Sequence, residues 1–289
     1  MTSRTKKLFR FLSPGWQSLF MDYPVNFRPR YGPENAPHPF LMGIIEERRP
    51  VYREFLLKSL DYGDLYTRFE KKGGGKSLSH DPEYNNGFLP GLDIITLYTM
   101  LAEFRPETYV EVGSGNSTRV AYRAIRDQHL KTKIISIDPA PRAGMDRLAD
   151  RIIREPFENI DLGFIHSLKP NDILFIDNSH RILPNSDSMV FFLEVLPRLP
   201  EGVIVQIHDI YLPYDYPQDM CDRFYSEQYG LAIALLANPA RFEILLPNFF
   251  ISEDPELSAI LNPVWEHPNL EGVERHGGSF WFRVRQNGA

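Results

Sequence analysis

A strand that runs into a glycine turn and out into a helix leaves a chain few architectures. Residues 109–125, YVEVGSGNSTRVAYRAI, read that way. Gly113 and Gly115 let the backbone turn sharply and let a ligand approach it closely, and a helix starts near Ser117. Asp138 closes the next β-rich run, ISIDPAP, 23 residues after Gly115. An acid near that spacing can accept hydrogen bonds from both hydroxyls of a ribose. Turn and acid together point to a nucleoside rather than to a turn without a ligand.

The chain around this motif alternates. Thr108 to Val112, Lys133 to Ile137, Ile152 and Ile153, Ile173 to Ile176 and Val203 to Ile207 read as strands. Leu92 to Phe104, Ser117 to His129, Met145 to Asp150 and Ser186 to Leu196 read as helical stretches between them. Strand and helix in alternation imply right-handed crossovers and a parallel sheet with helices on both faces, a Rossmann-like α/β fold. Asp219 to Ala237 reads as a further helix, and Phe242 to Leu246 with Ser279 to Val284 as a final antiparallel pair. Upstream, residues 1–43 are rich in proline and aromatics and read as an irregular arm. Ile44 to Leu60 has helical spacing that Pro50 should interrupt or restart. The expected organisation is an extension over 1–80, capping the substrate side, and an α/β domain over 81–289.

Composition narrows the function. Of 289 residues 43% are hydrophobic, enough for a sizeable core, and the formal charge of −6 argues against nucleic acid as the main partner. The single cysteine, Cys221, excludes an intramolecular disulfide framework and a cysteine-based zinc cluster. No apolar run approaches the roughly 18 residues of a membrane span, and nothing places the chain in an oxidising compartment, so a cytoplasmic location is expected. Basic residues Arg4, Lys6, Lys7 and Arg10 surround Phe9, Phe11 and Leu12, but Pro14, Gly15 and Gln17 break the apolar run that a signal peptide needs. Lys71 to Ser79, KKGGGKSLS, lacks the strand–GxxxxGK[ST]–helix context of a phosphate loop and reads as a surface loop.

Two residues separate the candidate nucleoside ligands. Thr118 stands where a dinucleotide fingerprint has its third glycine, which serves a pyrophosphate poorly. Glu111, two residues before Gly113, would repel a pyrophosphate but suits a ligand carrying an ammonium and a sulfonium.

The stretch from about Tyr84 to the C-terminus resembles a class I S-adenosylmethionine-dependent methyltransferase of the small-molecule O-methyltransferase group, akin to catechol and macrolide-sugar O-methyltransferases. EVGSGNST (111–118), SIDPAPR (136–142), ILFIDNSH (173–180) and VIVQIHDIYLP (203–213) carry the resemblance. It implies a seven-stranded sheet with an antiparallel last strand. It also implies S-adenosylmethionine as cofactor, held by Glu111, Gly113, Ser114, Gly115, Asn116, Ser117, Asp138 and Asp177, and a small-molecule or sugar hydroxyl as acceptor.

Ligands of open α/β sheets bind at the carboxyl ends of the strands. Asp177 after ILFI, and His208 with Asp209 after VIVQI, are delivered there by apolar strands. In metal-dependent relatives these places hold magnesium, so Asp177, His208 and Asp209 are candidate ligands of a divalent ion. A histidine among them suits a softer ion better than magnesium, and equally suits no metal, with His208 bonding the substrate. His180, three residues after Asp177, stands where those relatives carry a catalytic lysine, and is the candidate general base. An unperturbed imidazole is mostly neutral near pH 7 and ready to accept a proton. Other roles remain open: Asp177 or His180 as caps, His208 as a core histidine, an iron hydroxylase on the same fold, a nicotinamide oxidoreductase, or a binding module. The YLPYDYP segment (211–217), with Asn86 to Leu89 and the N-terminal arm, is the expected wall of an acceptor pocket.

Overall fold

The computed structural model describes residues 9, 11–14, 19, 21–32, 35–71, 80–141 and 145–286. The glycine-rich 72–79 stretch and Arg4, Lys6, Lys7 and Arg10 lie outside them.

Five short apolar runs become parallel strands: β1 (Thr108–Val112), β2 (Lys133–Ile137), β3 (Arg151–Ile153), β4 (Ile173–Ile176) and β5 (Ile204–Ile207). With β6 (Phe242–Pro247) and β7 (Phe280–Val284) they form one seven-stranded sheet of order β3-β2-β1-β4-β5-β7-β6. The final pair is antiparallel, as expected. Its last strand does not lie at the edge: β7 is inserted between β5 and β6, antiparallel to both. β4 and β5 are buried at every residue, as a central strand covered on both faces must be.

The helices depart from the sequence pattern where a break is written in backbone geometry. The helix expected over 44–60 is two, α1 (Pro39–Glu46) and α2 (Arg49–Ser59), with Pro50 in the first turn of the second, where its missing N–H costs nothing. α3 (Gly91–Phe104) and α4 (Asn116–Asp127) match closely. Residues 187–198 wind successively as α5 (Asp187–Val190), a π turn and a 3-10 turn. The helix expected over 219–237 is broken, because Phe224 takes a left-handed φ of 61°; only α6 (Glu227–Ala237) is long.

The described residues before 81 pack on the rest of the chain at several places. α1 and α2 contribute Leu41, Ile45, Tyr52 and Leu56 to the main hydrophobic core. Arg49 also makes a two-pronged ion pair with Asp254, at 2.6 and 2.7 Å. Residues 27–38 lie along the segment after β5: His38 N–H donates to Pro213, Asp215 N–H to Tyr31, and Arg30 and Tyr31 N–H both donate to the Asp215 carboxylate.

Candidate active site

Parallel pairing continues one residue beyond the strands. Gly113 N–H bonds Ile137 O, Asp138 N–H bonds Ile153 O, Asp177 N–H bonds Val112 O and His208 N–H bonds Ile176 O. Gly113, Asp138, Asp177 and His208 therefore come level along one sheet edge, where open α/β sheets bind ligands.

In the glycine-rich half, Gly113 takes φ +86°, and a Cβ there would collide with the carbonyl oxygen of Asp177. Glycine is required on both counts. Asp138 holds the turn. Its Oδ2 accepts from Ser114 N–H (2.9 Å) and Ser114 Oγ (2.7 Å), and its Oδ1 from Ala140 N–H (2.9 Å). A carboxylate offers about four acceptor directions, so Asp138, partly exposed, retains capacity for a ligand hydroxyl. Asn116 grips the backbone of Glu83 in both directions, at 2.9 and 3.0 Å.

Glu111 is fully buried. Thr118 Oγ1 donates to it at 2.6 Å and Ser117 Oγ at 3.2 Å, with the Tyr109 hydroxyl at 3.4 Å. Burial pushes its carboxyl from the ordinary 4.5 up to about 7, against these hydroxyl bonds. In this arrangement Glu111 and Ser117 secure the start of α4 from below.

The second half is a chain of acids and imidazoles. His180 Nδ1 lies 2.5 Å from Glu227 Oε1, and its Nε2 lies 3.6 Å from both Asp177 Oδ1 and Asp209 Oδ2. His208 Nδ1 lies 3.4 Å from Asp209 Oδ1 and 3.7 Å from Asp177 Oδ1, and its Nε2 lies 3.3 Å from Asp93 Oδ2. The sheet edge thus brings together Asp177, His180, His208 and Asp209, all named from sequence. His180 and Asp209 take left-handed φ of 62° and 54°, costly for residues with a Cβ and typical of functional sites. Tyr225 stacks on the His180 ring at 4.6 Å.

The neutral His180 expected from its ordinary pKa is not what these surroundings produce. Burial disfavours its charge, but Glu227, Asp177 and Asp209 outweigh burial and hold it up to about 9. His208 is likewise driven down by burial and up, to about 10, by Asp209, Asp177 and Asp93. The carboxylates thus favour the imidazolium form of both rings.

The arrangement does not fit the divalent ion expected at Asp177, His208 and Asp209. Among the described residues no three His, Cys, Asp or Glu side chains form a group that could hold a metal. The nitrogens of His208 instead face carboxylates on both sides, as in an ion-pair network.

Three participants escaped the sequence reading. Asp93 is the one acid in the first turn of the apolar helix α3 and lies buried. That isolation was its signal. Glu227 and Tyr225 lie within the 219–237 stretch that reads as one helix, and nothing local sets them apart from helix packing. Asn86, expected in a pocket wall, is spent internally: its side chain bonds the backbone of Glu83, Tyr84, Phe88 and Leu89. A cavity of about 160 Å³ does open between the N-terminal arm, the 212–215 loop and α6, with Tyr31, His38, Tyr214 and Tyr229 in its lining, but no residue of the cluster borders it.

Residues 110–210 match the family model described as a methyltransferase domain. An uncharacterized protein of Archaeoglobus fulgidus is 30% identical over 95 residues, 31% of this chain and 43% of that protein, so the chain spans under half of the curated relative it matches. Among solved structures, an SAH-bound methyltransferase of Podospora anserina is 16% identical, covering 83% of this chain and 95% of its own, with a TM-score of 0.41. An O-methyltransferase of Bacillus cereus in complex with SAH is 13% identical, covering 81% and 91%, with a TM-score of 0.38.

Proposed function

We propose that this chain, whose residues 110–210 match a methyltransferase-domain model, is a class I methyltransferase that transfers a methyl group from S-adenosylmethionine to a hydroxyl of a small molecule or sugar. One observation supports the reading: Gly113, Asp138, Asp177 and His208 stand level at the carboxyl ends of β1, β2, β4 and β5, so the glycine turn and the acid–imidazole cluster lie at the same end of the sheet. Gly113, Ser114 and Gly115 would form the turn over the cofactor, and Asp138 would take its ribose hydroxyls with the acceptor directions that Ser114 and Ala140 leave free. Asp177 would lie between the cofactor and the acceptor. S-adenosylmethionine supplies an electrophilic methyl group on a sulfonium.

The chain's own residues would manage the acceptor's proton. A hydroxyl oxygen must lose its proton as it is methylated, and general-base help is typically worth about 10²–10⁴-fold. His180, with Nε2 turned to the cluster, is the proposed acceptor of that proton. Its raised pKa means it does so in the fraction of molecules whose ring is neutral, a fraction that grows as pH approaches 9. Asp177 and Asp209 favour a hydroxyl-rich acceptor over an anionic one, because a second anion would meet them at close range.

Calorimetric titration with S-adenosylmethionine and with NADH tests the cofactor. S-adenosylmethionine should bind and NADH should not, and Asp138→Ala should weaken binding about tenfold or more, the loss of one charge-assisted hydrogen bond. Wild-type affinity in Asp138→Ala, or a preference for NADH, would overturn the assignment. An acceptor screen read out by S-adenosylhomocysteine release tests the hydroxyl class.

A further inference from the structure

We infer that Asp93 and Glu227 are positioning residues, each fixing one ring nitrogen of a site histidine so that the other faces the pair Asp177 and Asp209. The inference rests on the methyltransfer reading only for the use of the rings; the arrangement stands on its own.

Each histidine has two differently employed nitrogens. His180 is hydrogen-bonded through Nδ1 by Glu227 and presents Nε2; His208 Nε2 lies 3.3 Å from Asp93, in ion-pair range but without hydrogen-bond geometry, and presents Nδ1. The anchors are side chains buried almost completely, Glu227 at 1% and Asp93 at 0% exposure, whereas Asp177 and Asp209 are 36% and 20% exposed. A ring nitrogen held against a buried carboxylate keeps its proton whether the ring is neutral or charged. Only the presented nitrogen can then give up or take a proton, and the two anchors determine which nitrogen that is. The two rings are anchored through opposite nitrogens and still converge on the same aspartates.

Packing alone does not account for Glu227. Its Oε2 is buried without a hydrogen-bond partner, and a buried carboxylate left half-satisfied is costly. A neutral or apolar side chain of that size would hold α6 in place as well. Both anchors sit in the first turn of a helix, Asp93 in α3 and Glu227 in α6, where the helix dipole favours a carboxylate. The stacked Tyr225 ring lies flat against His180 and opposes rotation away from Glu227. Asp93 has a second duty, accepting Gly278 N–H, Ser279 N–H and Asn248 Nδ2, so Glu227 gives the cleaner test.

The experiment is ring-proton NMR of the full chain labelled with ¹⁵N-histidine, with His180→Ala and His208→Ala supplying the assignments. Wild type should show a strongly downfield ring N–H signal on Nδ1 of His180 and a less shifted one on Nε2 of His208. Glu227→Gln should move the His180 signal upfield and leave that of His208; Asp93→Asn should do the reverse. Downfield protons absent in wild type, found on the opposite nitrogens, or unmoved by Glu227→Gln would overturn the inference. If Asp93→Asn fails to fold, the wild-type assignment of His208 decides its half. No cofactor or turnover enters this readout, so its failure and a failure of the methyltransferase reading are told apart by the calorimetric titration.

Discussion

Thr118 Oγ1 donates a 2.6 Å hydrogen bond to Glu111 Oε1, joining the end of β1 to the first turn of α4 beneath the glycine loop. These residues, read from sequence as two separate marks against a pyrophosphate, form one buried unit. Thr118 also accepts from Gly115 N–H at 3.1 Å, so the loop is tied to the same unit.

This unit makes stability depend on pH. Glu111 is raised from 4.5 in the unfolded chain to about 7 in the fold, so between these values the native state binds the proton and the unfolded state does not. Its stabilising effect is complete below pH 4.5 and is lost as pH rises through 7. His180 and His208 are raised instead to about 9 and 10 and lose theirs only at higher pH. Glu111→Gln should flatten the decline in melting temperature between pH 4.5 and 7. An unchanged slope would mean that Glu111 is not the group responsible.

The pH dependence of turnover checks His180. A base of ordinary pKa would give a rate that levels off above about pH 6.5. With its three carboxylate neighbours His180 should give a rate still climbing between pH 7 and 9. His180→Ala should lower the saturated rate about a hundredfold or more, abolish that climb, and leave cofactor affinity within about twofold. A variant that keeps both rate and climb would move the role to His208.

Gly113→Ala probes the turn directly. The left-handed φ costs a residue with a Cβ about 1–2 kcal/mol, and the collision with the Asp177 carbonyl adds to it. The melting temperature should fall and S-adenosylmethionine affinity with it. A variant as stable and as tightly binding as wild type would remove the turn from the site.

Chelation distinguishes an ion-pair network from a metal centre. Because His208 and His180 are paired with carboxylates through both nitrogens, dialysis against a chelator should leave turnover unchanged. Loss of turnover restored by one particular cation would show that these pairs open to admit an ion.

Much of this was legible because it is local. Apolar four- and five-residue runs mark β1, β2, β4 and β5 almost to the residue, and a polar group directly after such a run can only emerge at the sheet edge, as Asp138, Asp177 and His208 do. What escaped is settled by distant partners. No local pattern places β7 between β5 and β6, or brings Glu227 to a histidine 47 residues away. The ordinary pKa of His180 misled for the same reason: its surroundings come from three separate segments of chain. The break at Phe224 was hidden because apolar residues continue through it.

Asp93 couples the site to the antiparallel end of the sheet. Its carboxylate binds the backbone of Gly278 and Ser279, which lead into the final strand, and the same carboxylate faces His208. A substitution that displaces β7 therefore reaches His208 through Asp93, so the strand inserted between β5 and β6 takes part in fixing the geometry of the cluster.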